Sequence, residues 1–319
     1  MENKRLVVSS SPHLRSSVST QRIMLDVLIA LSPAVIAGTV IFGFRALLVV
    51  LVCAAAAVLS EFLFNLAVKK KNTVTDLSAL VTGVLLGLNI HAAVPLWQCV
   101  IGSVFAIVVV KCLFGGIGCN FANPAITARV VMVISFTSTV SGGIRPGAAN
   151  ILFPKTEELI TTATPLAQDF GKPGLLDLFL GNHGGAIGET CILALLIGFV
   201  YLVCRRVIKF EVPLIFIVTV FSLSLIAENS FYIALTDILS GGLFLGAIFM
   251  ATDYVTTPIT RTGKMIFAFG CGLLTFLIRF YGSYPEGVSF AILVMNALVW
   301  YIDKLTKPRV FGGKKHGKK

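Results

Sequence analysis

Residues 76–91 read DLSALVTGVLLGLNIH. The stretch opens on one acid and is apolar from there on, yet it is shorter than the ~20 residues that cross ~30 Å of hydrocarbon as a straight helix. Gly83 and Gly87 interrupt it. Short, glycine-broken apolar segments predict discontinuous or re-entrant helices that line a buried site. Outward from this stretch the same kind of run recurs, at 23–42, 46–67, 95–113, 122–139, 186–204, 212–227, 232–250, 265–280 and 287–302. The whole chain of 319 residues (34.1 kDa) is 56% hydrophobic and 13% charged, with a mean hydropathy of +0.91. A soluble domain of this size cannot hide so much apolar surface. An ordinary cytosolic enzyme and a disordered chain are thereby excluded. The fold expected is an all-α polytopic membrane protein of about ten transmembrane helices, some short or re-entrant.

The net charge of +11 then has to be read by position. Residues 1–22 are polar and basic, without the apolar core and cleavage site of a signal peptide, and read as a retained cytoplasmic tail. Ten spans with that tail inside put Lys69, Lys70, Lys71, Lys111, Arg129, Arg205, Arg206, Lys209, Arg261, Lys264 and the basic C-terminal tail 303–319 on the cytoplasmic side. Arg45, Arg145, Lys155, Lys172 and Arg279 fall outside. By this sorting 21 of the 26 basic residues are cytoplasmic, which is the positive-inside bias, and the excess needs no nucleic acid. Residues 23–302 form one membrane domain, with 140–185 as a long extracytoplasmic loop. That loop carries Leu175, Leu176, Leu178 and Phe179 among its glycines and prolines and reads as functional.

VTGVLLGL (81–88) and SGGLFLGA (240–247) share a pattern: Gly83 with Gly242, Leu86 with Leu245, Gly87 with Gly246. The offset corresponds to five spans. Duplicating an odd number of spans yields two halves of opposite orientation, here about 23–139 and 186–302, with a site between them near the midplane. Resemblance by Gly/Leu composition alone is the competing explanation.

No nucleotide-binding loop and no metal-ligand spacing is present among the four His and seven Cys, so the cysteines read as small packing residues and no metal is expected. Acidic residues within spans are costly and mark function by default. Asp76 and Glu211 sit at span ends, where caps suffice. Glu61 has Lys69 to Lys71 two turns on and is expected to reach toward them. Asp26, Glu189 and Asp253 are harder to dismiss and are left to serve a cofactor, a cation path or a structural pair. GGIGCNFANPAITAR (115–129) joins a glycine-rich backbone to Asn120, Asn123 and Arg129, a set suited to a polar, phosphorylated or heteroaromatic ligand. FMATDYVTTP (249–258) brings Thr252, Asp253, Thr256 and Thr257 to one face, and HGGAIGET (183–190) opens the sixth span. Glycines in such strings also serve plain helix packing. ELITTATPLA (158–167) exposes hydroxyl residues in the outer loop.

TTATPLA, GGIGCNFANPA, GAIGET and FMATDYVTTP, on ten spans, resemble the NqrB/RnfD family over nearly the whole chain. These are membrane subunits of the ion-translocating ferredoxin:NAD oxidoreductase (Rnf) complex and of the sodium-pumping NADH:quinone oxidoreductase. The resemblance implies an FMN joined through its phosphate to the last Thr of an (S/T)GAT-like motif by a separate flavin transferase, here Thr164. Thr162 and Glu158 stand where Gly and Asp are common in that pattern. It also implies a second, non-covalent riboflavin, for which Asn120, Asn123, Arg129 and Thr252 are the lining candidates. The activity implied is that of one component of a complex, not catalytic alone: electrons pass between reduced ferredoxin and NAD through partner subunits, coupled to Na⁺ or H⁺ transport. Both termini would lie in the cytoplasm, with the chain in the inner membrane. The short N-terminal tail favours the RnfD side over an NqrB-like protein. A urea-transporter-like solute channel is the reading from another class, since such channels also use inverted five-span repeats.

Overall fold

The computed structural model describes residues 19–70, 72–141, 143–144, 161–162, 174–282 and 287–308. The chain order is α1 (Thr20–Phe42), α2 (Phe44–Ala67), α3 (Ser78–Leu88), α4 (Leu96–Val104, continuing as a π-helix over Phe105–Cys112), α5 (Pro124–Ser135), α6 (Thr137–Val140), α7 (Leu175–Leu180), α8 (Ile192–Cys204), α9 (Glu211–Glu228), α10 (Phe231–Leu239), α11 (Leu243–Leu245, continuing as a π-helix over Gly246–Met250), α12 (Arg261–Tyr281) and α13 (Val288–Thr306). Gly143–Ile144 and Thr161–Thr162 form a two-residue antiparallel pair. The protein is an all-helical, multi-pass membrane protein. Among the described residues five helices (α1, α2, α9, α12, α13) are long and apolar enough to span, α10 and α11 form an apolar pair bent by 63°, a broken span or a re-entrant loop, and four shorter apolar helices accompany them. In the five long helices only 33–39% of the apolar window is buried. The remainder, including Ile36, Val40, Leu66 and Ile226, faces outward as surface for lipid or other chains.

The glycines do not act as the sequence predicts. α3 runs unbroken through Gly83 and Gly87. Both lie against α2 instead: a Cβ on Gly83 would sit 2.6 Å from the Cα of Ala54, and one on Gly87 2.8 Å from the Cα of Val50. Four-residue spacing puts both on one face, so the two backbones meet directly. Gly83→Leu is therefore expected to cost the upper end of the ~1–3 kcal/mol range for overpacking, since backbone cannot yield as a side chain can. A lower thermal midpoint of the purified protein checks this; an unchanged midpoint would show that α2 and α3 can separate freely.

The true break is at Ser240–Gly242, where Gly241 takes φ +68°. A Cβ on Gly242 would lie 2.6 Å from Glu189 Oε1. Arg279 of α12 donates to the carbonyls of Asp237 and Ser240 freed by the bend, at 2.8 and 3.2 Å. A broken helix inside a membrane is tolerated where protein groups satisfy its backbone in this way.

The linker after α3 follows the same rule. Asn89, Ile90, His91, Ala92 and Val94 are buried. Leu88 and Ile90 accept from the backbone N–H of Gly188 and Ile187 at 2.8 and 3.1 Å. Arg45 Nε donates to the Ala92 carbonyl at 3.2 Å and its Nη2 to that of Val94 at 3.4 Å. The two linkers, 88–94 and 186–188, thus pair with each other in the interior. Neighbours also recur: α2 packs on α3 and α4 as α9 packs on α10 and α12, while α1–α8 and α5–α13 join corresponding helices across the halves.

Candidate functional site

A partly open pocket, whose empty space of about 790 Å³ includes the solvent at its mouth, is lined by Met24 and Val27 of α1, Ser78 and Thr82 of α3, Lys111, Asn120, Asn123, Thr252, Asp253 and Tyr254. Both π-helical segments end at its walls, Phe105–Cys112 at Lys111 and Gly246–Met250 just before Thr252. The wide turn of a π-helix re-aims the side chains that follow, a device frequent at functional sites.

Local sequence explains the placement. Gly115, Gly116 and Gly118 take φ of +120°, +98° and +89°, which turns the chain tightly between α4 and α5. Asn123 caps α5, its Oδ1 accepting from the N–H of Ala125 at 3.0 Å and of Ile126 at 3.4 Å, with Pro124 in the first turn. Its Nδ2 donates to the Met250 carbonyl at 3.4 Å, across the halves. Asn296 of α13, with its amide turned to satisfy both neighbours, donates to the Thr256 carbonyl at 3.0 Å and accepts from the Asn123 N–H at 3.1 Å. Asn120 differs from Asn123: its Oδ1 is buried without a partner among the described residues. The Thr252 hydroxyl bonds back to the Ile248 carbonyl at 2.5 Å. Asp253 accepts from the Thr256 hydroxyl at 3.0 Å and the Val255 N–H at 3.5 Å, and the Thr257 hydroxyl bonds its carbonyl at 2.7 Å.

The other sequence candidates lie elsewhere. Arg129 does not line this pocket. It is buried, and its Nη1 bonds the Asn89 carbonyl, Asn89 Oδ1 at 3.0 Å and Glu189 Oε1 at 3.1 Å. This ion pair joins α5 of the first half to the segment opening α8 of the second. Asp26, on α1, accepts from the Tyr201 hydroxyl at 2.9 Å and from Arg205 Nε and Nη2 at 3.3 Å each. Thr164 lies outside the described residues.

Three charges are corrected. Arg45, Lys111 and Arg129, sorted by sequence as loop charges on one side or the other, are all buried. They bond internal acceptors rather than facing water in the loops. Glu61 has an ion-pair partner other than the expected Lys69 and Lys70; Lys71 lies outside the described residues. Glu61 pairs with Lys111 at 2.9 Å, and its Oε1 also accepts from Thr73 Oγ1 at 2.6 Å. Lys111 is the pocket residue that sequence reading missed. The available signal was an acid and a base, each within an apolar run, and buried charges require partners.

Known proteins are similar to nearly the whole chain. The NQR2, RnfD, RnfE family matches residues 7–312. A component of the Na(+)-translocating ferredoxin:NAD(+) oxidoreductase complex of Acetobacterium woodii is 43% identical, with 98% of this chain and 97% of that one covered. Its counterpart in the proton-translocating ferredoxin:NAD(+) oxidoreductase complex of Clostridium ljungdahlii is 38% identical, with 96% of each covered. The counterpart in the ion-translocating oxidoreductase complex of Stutzerimonas stutzeri is 39% identical, over 96% of this chain and 95% of that one. Two relatives of similar identity are thus named for different ions, so likeness does not choose the ion. With nearly full-length coverage on both sides, the chain belongs to the NQR2, RnfD, RnfE family, on its RnfD branch.

Proposed function

We propose that this chain is the membrane flavoprotein component of an ion-translocating ferredoxin:NAD oxidoreductase complex. It carries FMN as a phosphoester on Thr164, installed by a flavin transferase, and holds a non-covalent riboflavin in the pocket at Asn120, Asn123 and Thr252. It relays electrons between partner subunits and is not catalytic alone. Bound flavin supplies the electron chemistry; the chain supplies position and electrostatics. The observation that carries the pocket reading is Asn120 Oδ1, a buried acceptor with no donor. An isoalloxazine ring offers an N–H between two carbonyls, which complements a carboxamide. A buried acceptor without a donor costs roughly 1–3 kcal/mol, which a bound donor relieves.

The proposed orientation in the inner membrane has both termini cytoplasmic and 140–185 outside, where Thr164 meets the transferase. Contacts between helix ends support it. Asp26–Arg205, Glu211–Arg261 and the Asp303 carboxylate on the Ile259 N–H gather the ends assigned to the cytoplasm. Arg45 and its carbonyl acceptors gather ends assigned outside.

The test is a denaturing gel of the protein made in a host with the transferase. Fluorescence on the band is expected, and Thr164→Ala abolishes it. A dark wild-type band overturns the covalent assignment and favours a solute channel. Asn120→Leu is expected to release the second flavin while sparing the fluorescent band.

A further inference from the structure

Lys111 has an unspent donor. Its side chain is 3% exposed, yet it lines the pocket. The ammonium donates to Glu61 Oε1 at 2.9 Å and to Ser78 Oγ at 2.7 Å. A lysine ammonium carries three N–H groups. The third has no protein acceptor among the described residues. The partner carboxylate is also incomplete: Glu61 Oε1 serves Lys111 and Thr73, while Oε2 is buried with no partner among the described residues. Burying an ammonium and a carboxylate costs several kcal/mol each unless the remaining sites are filled. A pair built only to hold α2 and α4 together would close on both oxygens. This one keeps a donor in reserve beside a cavity, at the end of a π-helical segment whose wide turn sets the direction of the side chain.

The wall contributed by the second half carries the opposite charge. Asp253 there has only hydroxyl and backbone donors. The pocket thus presents a cation from one half and a carboxylate from the other.

We propose that Lys111 is a ligand-binding residue, donating its third N–H to an acceptor on the flavin in this pocket and favouring that flavin's reduced, negatively charged form. The inference rests on the pocket reading above. Two electrons from the partner subunits and one proton from water leave a neutral ring system with one negative charge. In a water-poor site a fixed ammonium stabilises that charge far more than it would in bulk water. Lys111 therefore raises the potential of the site, while Asp253 opposes it until a cation arrives.

The experiment is a spectroelectrochemical titration of the non-covalent flavin in the intact complex, alongside its flavin content and thermal midpoint. Lys111→Met is expected to shift the oxidised-to-reduced ratio at fixed poise at least tenfold toward oxidised, about 30 mV for a two-electron couple. Lys111→Arg retains most of the wild-type potential. If Lys111→Met fails to assemble, the double variant Lys111→Met/Glu61→Met removes the orphaned carboxylate. It is expected to regain the thermal midpoint and keep the lowered potential. Recovery of both midpoint and wild-type potential in the double variant overturns the inference and leaves Lys111 as a mere partner of Glu61. Loss of stability with flavin potential untouched in Lys111→Met does the same. A wild-type complex with no non-covalent flavin overturns the pocket reading itself, and this inference with it, which separates the two failures.

Discussion

Arg129→Leu is expected to destabilise the protein by about 3–5 kcal/mol, the cost of stranding one member of a buried ion pair. The Arg129 and Glu189 side chains are 4% and 3% exposed and 3.1 Å apart. Glu189 has no water to turn to once its partner is gone. The same substitution leaves the Asn89 carbonyl and Oδ1 without their donor. That carbonyl belongs to a non-helical linker at membrane depth, where an unsatisfied backbone group is costly. Glu189→Gln also leaves one charge alone, but should be milder, because a carboxamide oxygen still accepts from Arg129 and the guanidinium keeps its bonds to Asn89. The double variant Arg129→Leu/Glu189→Leu separates charge from packing: it should melt above Arg129→Leu, since it removes the anion along with the cation. Thermal midpoints of the three variants against wild type read this out. A double variant that melts no higher than Arg129→Leu would show that the lost stability comes from Asn89 and packing, not from the uncompensated Glu189.

The hydropathy of the chain carried most of the fold. Each apolar run read from sequence is helical, though 122–139 and 232–250 each hold two helices, because a bilayer penalises any unpaired backbone group and so enforces helix wherever the chain is apolar for long enough. What hydropathy could not say is which glycine breaks a helix. Gly83 and Gly242 stand in matching sequence positions, yet Gly83 accepts the backbone of α2 within an intact helix, while Gly242 lies beside the Glu189 carboxylate at a break. The difference comes from what packs opposite, which is tertiary information. The site was legible in part for the same reason. Asn123 was visible as an amide in a glycine-rich string, while its role as the cap of α5 comes from the structure. Asn120, Thr252 and Asp253 were visible as polar residues in glycine- or threonine-rich strings. Lys111 was hidden because its meaning depends on Glu61, fifty residues away in sequence and 2.9 Å away in space. Arg129 was seen, but its direction was not: on a helix, two turns separate facing a pocket from facing Glu189.

Asp253→Asn is expected to lower coupled ion transport by roughly tenfold or more, the equivalent of about 1.4 kcal/mol at the ion-binding step, with flavin content unchanged. The three acidic candidates differ in what already neutralises them. Asp26 holds Arg205, and Glu189 holds Arg129. A carboxylate with an arginine in place gains little from a further cation, since the arginine must first be displaced into a low-dielectric interior. Asp253 has hydroxyl and amide donors only, and it lines the pocket where negative charge would build up on reduction. A cation drawn in by that charge finds in Asp253 an acid with no resident counter-ion. Asparagine keeps the size of the side chain and an oxygen for the Thr256 hydroxyl, so the loop should hold its shape. The measurement is ion uptake by the reconstituted complex in vesicles, scored for both Na⁺ and H⁺ because relatives are named for each. Electron transfer is followed in the same vesicles with an ionophore present, which separates loss of coupling from loss of turnover. Asp26→Asn should leave transport near wild type, because that pair sits at a helix end with Arg205 half exposed. Wild-type uptake in Asp253→Asn would remove this residue from the ion path and shift attention to Glu189, whose partner would then have to move.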